Sequence, residues 1–323
     1  MADLLLKTKE LCRRYNIKPA RSRGQNFLIE EKIYNDIVAA ADLQPDDIVL
    51  EVGPGLGFLT VKLAVRAKKV IAVELDDKLA AALKTGLAAK GIKNVEVVNE
   101  DILEMTNFQF PISKSQITNK IQPPLIPPYQ GGGGYKIVAN LPYNITSIFL
   151  RKFLEMENKP KLMVLMLQKE VAERICALPG EMSLLSVSVQ FYAKPEIVKI
   201  VAKENFWPVP EVDSAIVKIV ANPPNPPSAY SPRPDFGELS RTELGTKAGQ
   251  ALYQGGKIEK EFFRLVKFGF SAKRKMLKNN LAAGLKISQA EAENKIKQAG
   301  FNGKVRAQEL SVDDWLKLFS VFY

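Results

Sequence analysis

The chain has 323 residues, 46% of them hydrophobic, and a formal net charge of +11 with a pI near 9.4. That length accommodates one large α/β domain and a small second one. With no histidine and only two cysteines, Cys12 and Cys176, imidazole-based hydrolases, zinc deaminases, a zinc site and a disulfide framework are excluded, and a reduced, cytoplasmic setting is expected.

Residues 1–30 carry seven basic side chains against three acidic ones, without the basic-then-apolar pattern of a secretory signal. No apolar run reaches membrane-spanning length, so no membrane partner is expected. From residue 31 to about 178, strand and helix patterns alternate, as in a parallel sheet covered on both faces. Asp47–Val52 is a β-rich run that breaks into Gly53-Pro54-Gly55-Leu56-Gly57 and then a helical pattern from Phe58 to Val65. Such glycines let the backbone approach a ligand at a helix N-terminus. Phe58 stands where a dinucleotide fingerprint needs Gly or Ala, which favours a nucleoside without phosphates.

A second strand, Lys69–Val73, ends in Glu74, placed to chelate ribose hydroxyls. A third, Val95–Val98, leads to Asp101, whose carboxylate can accept from an adenine amino group. Phe108–Gly134, with five prolines and four terminal glycines, reads as a long, mobile surface loop near the cleft. Lys136–Ala139 is a buried strand followed by Asn140-Leu141-Pro142-Tyr143 and a helix capped by Thr146 or Ser147. An amide, outward carbonyls and an aromatic face at a strand's C-terminal end can hold a planar base by its exocyclic amine. The Asn140 side-chain oxygen and the Leu141 carbonyl are the candidate acceptors.

Leu162–Leu167 is a further strand, Gly180 a break, and Val187–Ala193 and Ala215–Val220 read as long strands with a short one at Ile197–Val201. Asn222–Gly256 has six prolines before Asp235 and reads as a linker. Residues 257–306 hold 13 Lys or Arg against four Glu, which points to a polyanionic partner. Ile258–Phe268 and Ala272–Leu281 have helical spacing, with Gly284 as a stop. Ser288-x-x-Glu291 opens a helix that Gly300 ends, and Ser311 opens a last one burying Trp315, Leu316 and Phe319. Phe262, Phe263, Leu265 and Val266 read as core rather than as base-stacking residues.

The order Gly53-x-Gly55-x-Gly57, Glu74, Asp101 and Asn140-Leu141-Pro142-Tyr143 resembles the S-adenosylmethionine-dependent adenine-N6 methyltransferases of ribosomal RNA. Gly24-Gln25-Asn26-Phe27-Leu28, Leu167–Val171, Phe206–Ala215 and Phe270 through Arg274-Lys275 make the chain most similar to the bacterial small-subunit (16S) adenine dimethyltransferases, from about residue 18 to 323 apart from Phe108–Gly134 and Asn222–Gly256, which read as insertions. The resemblance implies a Rossmann-like methyltransferase sheet in residues 1–221, a linker over 222–256, and a small all-helical RNA-binding domain in 257–323. It implies S-adenosylmethionine as cofactor, held by Asn26, Leu28, Gly53, Gly55, Glu74, Asp101 and Asn140, and no metal. It further implies Tyr143 stacking on one face of the target base and Phe206, held extended by Pro208 and Pro210, on the other. The substrate implied is 16S ribosomal RNA in a small-subunit precursor, dimethylated at two adjacent adenines near its 3′ end by a monomeric enzyme. Lys273, Arg274, Lys275 and Lys278, within two helical turns, are expected to contact its phosphates. Methylation of large-subunit RNA, a non-catalytic assembly factor and a nicotinamide dehydrogenase stay open as alternatives, the last opposed by Phe58 and the missing histidine.

Overall fold

A computed structural model describes residues 2–19, 25–105, 134–156, 158–222 and 257–323. The expected loop 108–134 lies outside these apart from Gly134, and the expected linker 222–256 apart from Asn222.

After helix α1 (Ala2–Arg14), the two-residue strand β1 (Phe27–Leu28) and helix α2 (Glu31–Ala41), the chain enters a large sheet. Strands β2 (Ile48–Val52), β3 (Lys69–Val73) and β4 (Val95–Val98) are joined by helices α3 (Phe58–Ala64) and α4 (Asp77–Ala89). Strand β5 (Lys136–Asn140), helix α5 (Thr146–Glu155), strand β6 (Leu162–Gln168) and helix α6 (Lys169–Ile175) follow. Helix α7 (Leu184–Tyr192) precedes β7 (Ala193–Val201), the short β8 (Phe206–Trp207) and β9 (Ser214–Ala221). The seven-stranded sheet runs β4-β3-β2-β5-β6-β9-β7, parallel from β4 to β6, with β9 antiparallel to β6. Near-continuous Val, Ile, Leu and Ala runs in β2, β3, β5 and β6 suit strands buried on both faces. From β2 the chain works outward to β4 and returns to place β5 on the other side of β2. That reversal makes the C-terminal ends of β2 and β5 a topological switch point.

The helices are fixed locally. The Asp76 carboxylate accepts from the N–H groups of Lys78 and Leu79 to start α4, and the Glu30 carboxylate accepts from Lys32 to start α2. No side chain caps α5: it continues from a 3-10 turn, Tyr143–Ile145, with Ile145 in the cap position, so the expected Thr146 or Ser147 cap is not made.

The chain divides into two compact units, Met1–Ala172 with Pro195–Ala221, and Glu173–Lys194 with Asn222–Tyr323. Glu173–Lys194, assigned by sequence to the first domain, therefore groups with the C-terminal helices. Part of the reason is that 187–192 is helix, where a strand was expected. Ser183 and Ser186 form a reciprocal capping box that starts α7, and Phe191 then stacks on Phe262 with centroids 4.9 Å apart. The strand that follows is longer than expected. Its alternation of exposed and half-buried residues, with Pro195 near its start, is that of an edge.

In the second unit, α8 (Lys257–Gly269), α9 (Leu277–Leu285), α10 (Gln289–Gln298) and α11 (Val312–Phe322) surround Phe262, Leu265, Leu281 and Trp315. Three sequence expectations need correction. Residues 272–275 form a turn before α9 rather than its first turn. Gly284 lies inside α9, where any Cβ would meet the Phe268 ring at 2.3 Å, so it serves helix packing rather than termination. In α11 the buried apolar residue beside Trp315 and Phe319 is Leu318, not Leu316.

Candidate active site

A pocket opens at the β2/β5 switch point, lined in part by Asn26, Leu28, Glu51, Gly53, Gly55 and Glu74, with Asn140, Leu141, Tyr143 and Phe206. Nine of the ten residues assigned to cofactor or catalysis from sequence thus converge on one cavity; the tenth, Asp101, does not line it. Its Oδ1 accepts from the Leu103 N–H at 2.8 Å, fixing the turn after β4. Lys152 braces that turn by donating to the carbonyls of Ile102, Leu103 and Met105.

Gly53 and Gly55 adopt left-handed φ values of 67° and 56°, which few other residues tolerate. A Cβ on Gly55 would press on the Phe27 ring at 3.4 Å. The Gly55 N–H donates to Glu74 Oε2 and the Asp76 N–H to Glu74 Oε1, both at 3.0 Å, tying the glycine loop to the end of β3. Burial pushes the Glu74 carboxyl up, backbone N–H groups pull it down, and the net shift is upward. A carboxylate has about four acceptor sites, so a ribose hydroxyl fits beside the backbone donors.

Sequence reasoning passed over Glu51. It lies in β2, is 1% exposed, lines the pocket, and neither carboxylate oxygen has a hydrogen-bond partner among the described residues. Burial drives its carboxyl up to about 8; the nearby Thr60 hydroxyl opposes this and the Glu74 carboxylate adds to it. The signal was present as an acid inside the run Ile48-Val49-Leu50-Glu51-Val52. A buried carboxylate without a partner suits a ligand that brings its own ammonium group.

Asn140 ends β5, and its Nδ2 donates to the Asn26 carbonyl at 3.5 Å, which orients the amide and leaves Oδ1 as the acceptor. Leu141 is buried, and Pro142 stiffens the turn at φ −57°. Tyr143 is half-buried, with its hydroxyl 2.7 Å from Ser214 Oγ. Phe206 is 1% exposed: β8 pairs with β1, Leu28 opposite Phe206, and the ring belongs to the core cluster with Leu28, Ile33 and Tyr34. It forms a packed pocket wall rather than an open stacking platform.

The basic residues are in the second unit. Lys273, Arg274 and Lys275 are exposed on the turn between α8 and α9. The buried Asn280 amide holds that turn by donating to the carbonyls of Gly269 and Ala272. Lys278 differs from the other three: its Nζ pairs with Glu293 at 2.6 Å. Lys278 and then Lys297 hold the Glu293 carboxyl down at about 2. Among the described residues no helix is long and apolar enough to cross a membrane.

Comparison with known proteins matches residues 17–236 to a model of the family described as ribosomal RNA adenine dimethylase. A ribosomal RNA small subunit methyltransferase A of Dehalococcoides mccartyi strain CBDB1 is 42% identical over 98% of this chain and 92% of that protein. One from Alkaliphilus metalliredigens is 35% identical over 97% and 94%. Among solved structures, a dimethyladenosine transferase from Plasmodium falciparum superposes with TM-score 0.64 at 26% identity, covering 90% of this chain and 94% of that one. The 23S rRNA methyltransferase ErmE gives TM-score 0.63 at 27% identity over 92% and 99%.

Proposed function

The chain belongs to the ribosomal RNA adenine dimethylase family, and from that premise we propose that it transfers methyl groups from S-adenosylmethionine to N6 of adenines in small-subunit ribosomal RNA. The observation that carries this reading is the convergence of Glu51, Gly55, Glu74 and Asn140 through Tyr143 on one pocket. The relatives that match over nearly the whole chain, at 42% and 35% identity, are small-subunit enzymes, which supports the 16S target. Two adjacent adenines near the 3′ end, a precursor subunit as substrate and action as a monomer complete the reading.

S-adenosylmethionine supplies an electrophilic methyl group on a sulfonium. Glu51 would receive the ammonium of its methionine end and Glu74 would accept from the ribose hydroxyls; Asp101, beyond the pocket lining, would reach the adenine amine only through the oxygen that Leu103 does not use. The Asn140 Oδ1 and the Leu141 carbonyl accept the two N–H bonds of the target amine. That grip localises a lone pair otherwise delocalised into the ring. Tyr143 supports one face of the flipped adenine, with Phe206 as the packed wall of the same pocket. The methylated nitrogen carries a proton acidic enough to leave to water, so no histidine is required. Mass spectrometry of ribosomal RNA from cells with and without this protein tests the proposal. Loss of N6,N6-dimethyladenine from 16S RNA is expected, and unchanged 16S RNA refutes it.

The Glu51 assignment has a pH signature. Its carboxyl stands near 8 in the free protein, so at neutral pH binding an ammonium requires losing a proton. Affinity for S-adenosylmethionine should rise as pH increases from 6 to 8, by up to about tenfold per unit. Towards the top of that range the ligand's own α-ammonium begins to deprotonate, at about 7.7–8.0, and the gain levels off. Calorimetry at pH 6, 7 and 8 reads the slope. Glu51→Gln should flatten it, and a parental slope in that variant removes Glu51 from the ammonium.

The turn at Lys273-Arg274-Lys275 is proposed to contact phosphates and orient the RNA. Lys278 is now assigned to Glu293, so the expected salt dependence comes from three cations. Changing Arg274 and Lys275 together to Ala should reduce the slope of log affinity against log salt by roughly two and leave cofactor affinity unchanged. Binding of small ribosomal subunits over a salt series measures it, and an unchanged slope moves the RNA contact to another surface.

A further inference from the structure

We propose that Ser214 is a positioning residue for the reaction: its hydroxyl latches the Tyr143 phenol and so fixes the plane of the ring against which the target adenine is held. The proposal rests on the base-facing role given to Tyr143 above.

Tyr143 stands on a single 3-10 turn that no side chain caps, half-buried at the end of β5. A side chain so placed has two free torsions, and stacking alone fixes neither before the substrate arrives. The 2.7 Å contact to Ser214 Oγ fixes the far end of the ring.

The other half of the latch is rigid. Ser214 is fully buried at the start of β9, in register with Gln168 of β6. Its neighbour Asp213 is held twice: the Lys169 N–H donates to its carbonyl at 2.9 Å, and the Lys203 N–H to its carboxylate at 3.1 Å. In the order β5-β6-β9 the phenol therefore reaches across the end of β6 and joins the Asn140–Tyr143 turn to the strand after Phe206. Burial pushes the Tyr143 phenol up, so it stays protonated and the bond persists through the physiological range.

The latch also accounts for a tyrosine at this position. Stacking by itself is served equally by phenylalanine, and only the hydroxyl can reach Ser214. Removing either hydroxyl should therefore loosen the ring without emptying the pocket. The defect belongs to the base-orienting step and not to cofactor binding.

The test is a double-mutant cycle on small ribosomal subunits lacking the modification, with labelled S-adenosylmethionine. Ser214→Ala and Tyr143→Phe should each lower kcat by about five- to tenfold, the effect of one neutral hydrogen bond. The double variant should fall no further, because both changes remove the same interaction. Cofactor affinity should stay parental in Tyr143→Phe and its melting temperature should fall by only a few degrees, the effect of leaving the buried Ser214 hydroxyl without its partner, which keeps the measurement valid even if Ser214→Ala fails to fold. Parental kcat in Tyr143→Phe, or fully additive losses in the cycle, would overturn the latch. Tyr143→Ala separates this proposal from the reading it rests on. A loss there with parental Tyr143→Phe removes the latch alone. Parental turnover in all three variants removes the base-facing role of Tyr143 and the latch with it.

Discussion

Asn140→Ala should lower methyl-transfer turnover by about two to three orders of magnitude while changing S-adenosylmethionine affinity little. The amide oxygen is asked to strengthen its bond as the amine moves from planar towards tetrahedral. Its contribution is therefore larger in the transition state than in the bound ground state. A single positioned group of this kind is worth roughly 3 kcal/mol. The Nδ2 contact to the Asn26 carbonyl is long, at 3.5 Å, and its loss alone accounts for only a small part of such an effect. Single-turnover kinetics at saturating RNA separate the two contributions. A thousandfold slower chemical step with parental cofactor binding supports the grip on the amine. A defect confined to cofactor affinity would instead make Asn140 a purely cofactor-side residue.

The pocket was legible in the sequence to the extent that its residues sit at the ends of buried parallel strands. Such strands are continuous apolar runs, and the break after each run marks a strand end. Gly53, Glu74 and Asn140 were found this way, and the structure gathers them around one cavity. Glu51 was missed because it lies before the break, where its alternation with Leu50 and Val52 looks like ordinary strand composition. Only its lack of a buried partner distinguishes it, and that is a three-dimensional fact. Helix α7 was misread because Val187-Ser188-Val189-Gln190-Phe191 alternates with period two, while the deciding capping box lies just upstream in Ser183 and Ser186. The basic turn looked helical because Lys and Arg are good helix formers. The Asn280 amide holds the carbonyls of Gly269 and Ala272 and shapes the segment before α9. Lys278 was grouped with its neighbours because its partner, Glu293, is fifteen residues away on another helix.

The largest stability effect is expected at the opposite end of the same strands, where no sequence motif pointed. Asp47 is 4% exposed and its carboxylate meets Lys136 at 2.8 Å and Lys161 at 2.6 Å. Lys136 is buried too, and its Nζ also donates to the carbonyls of Ala41 and Asp42. Burial by itself would raise the Asp47 carboxyl. The Gln44 N–H, then Lys136 and Lys161, outweigh it, and the net shift is downward. A carboxyl held below its unfolded value stabilises the fold above that unfolded value, and the contribution is lost as pH falls through the folded one. Asp47→Ala leaves Lys136 buried without its counter-charge, which costs about 3–5 kcal/mol. For a chain of this size the melting temperature should drop by roughly 10 °C, and the acid limb of the stability curve should flatten. Replacing Asp47 with Leu and Lys136 with Met together should recover most of the loss, because no uncompensated buried charge then remains and Lys161 can turn to water. Urea unfolding of the single and double variants between pH 3 and 7 measures both effects. An Asp47→Ala protein within 1 kcal/mol of the parent would show that Lys136 is neutralised without Asp47, and that the junction of β2, β5 and β6 is held by apolar packing alone.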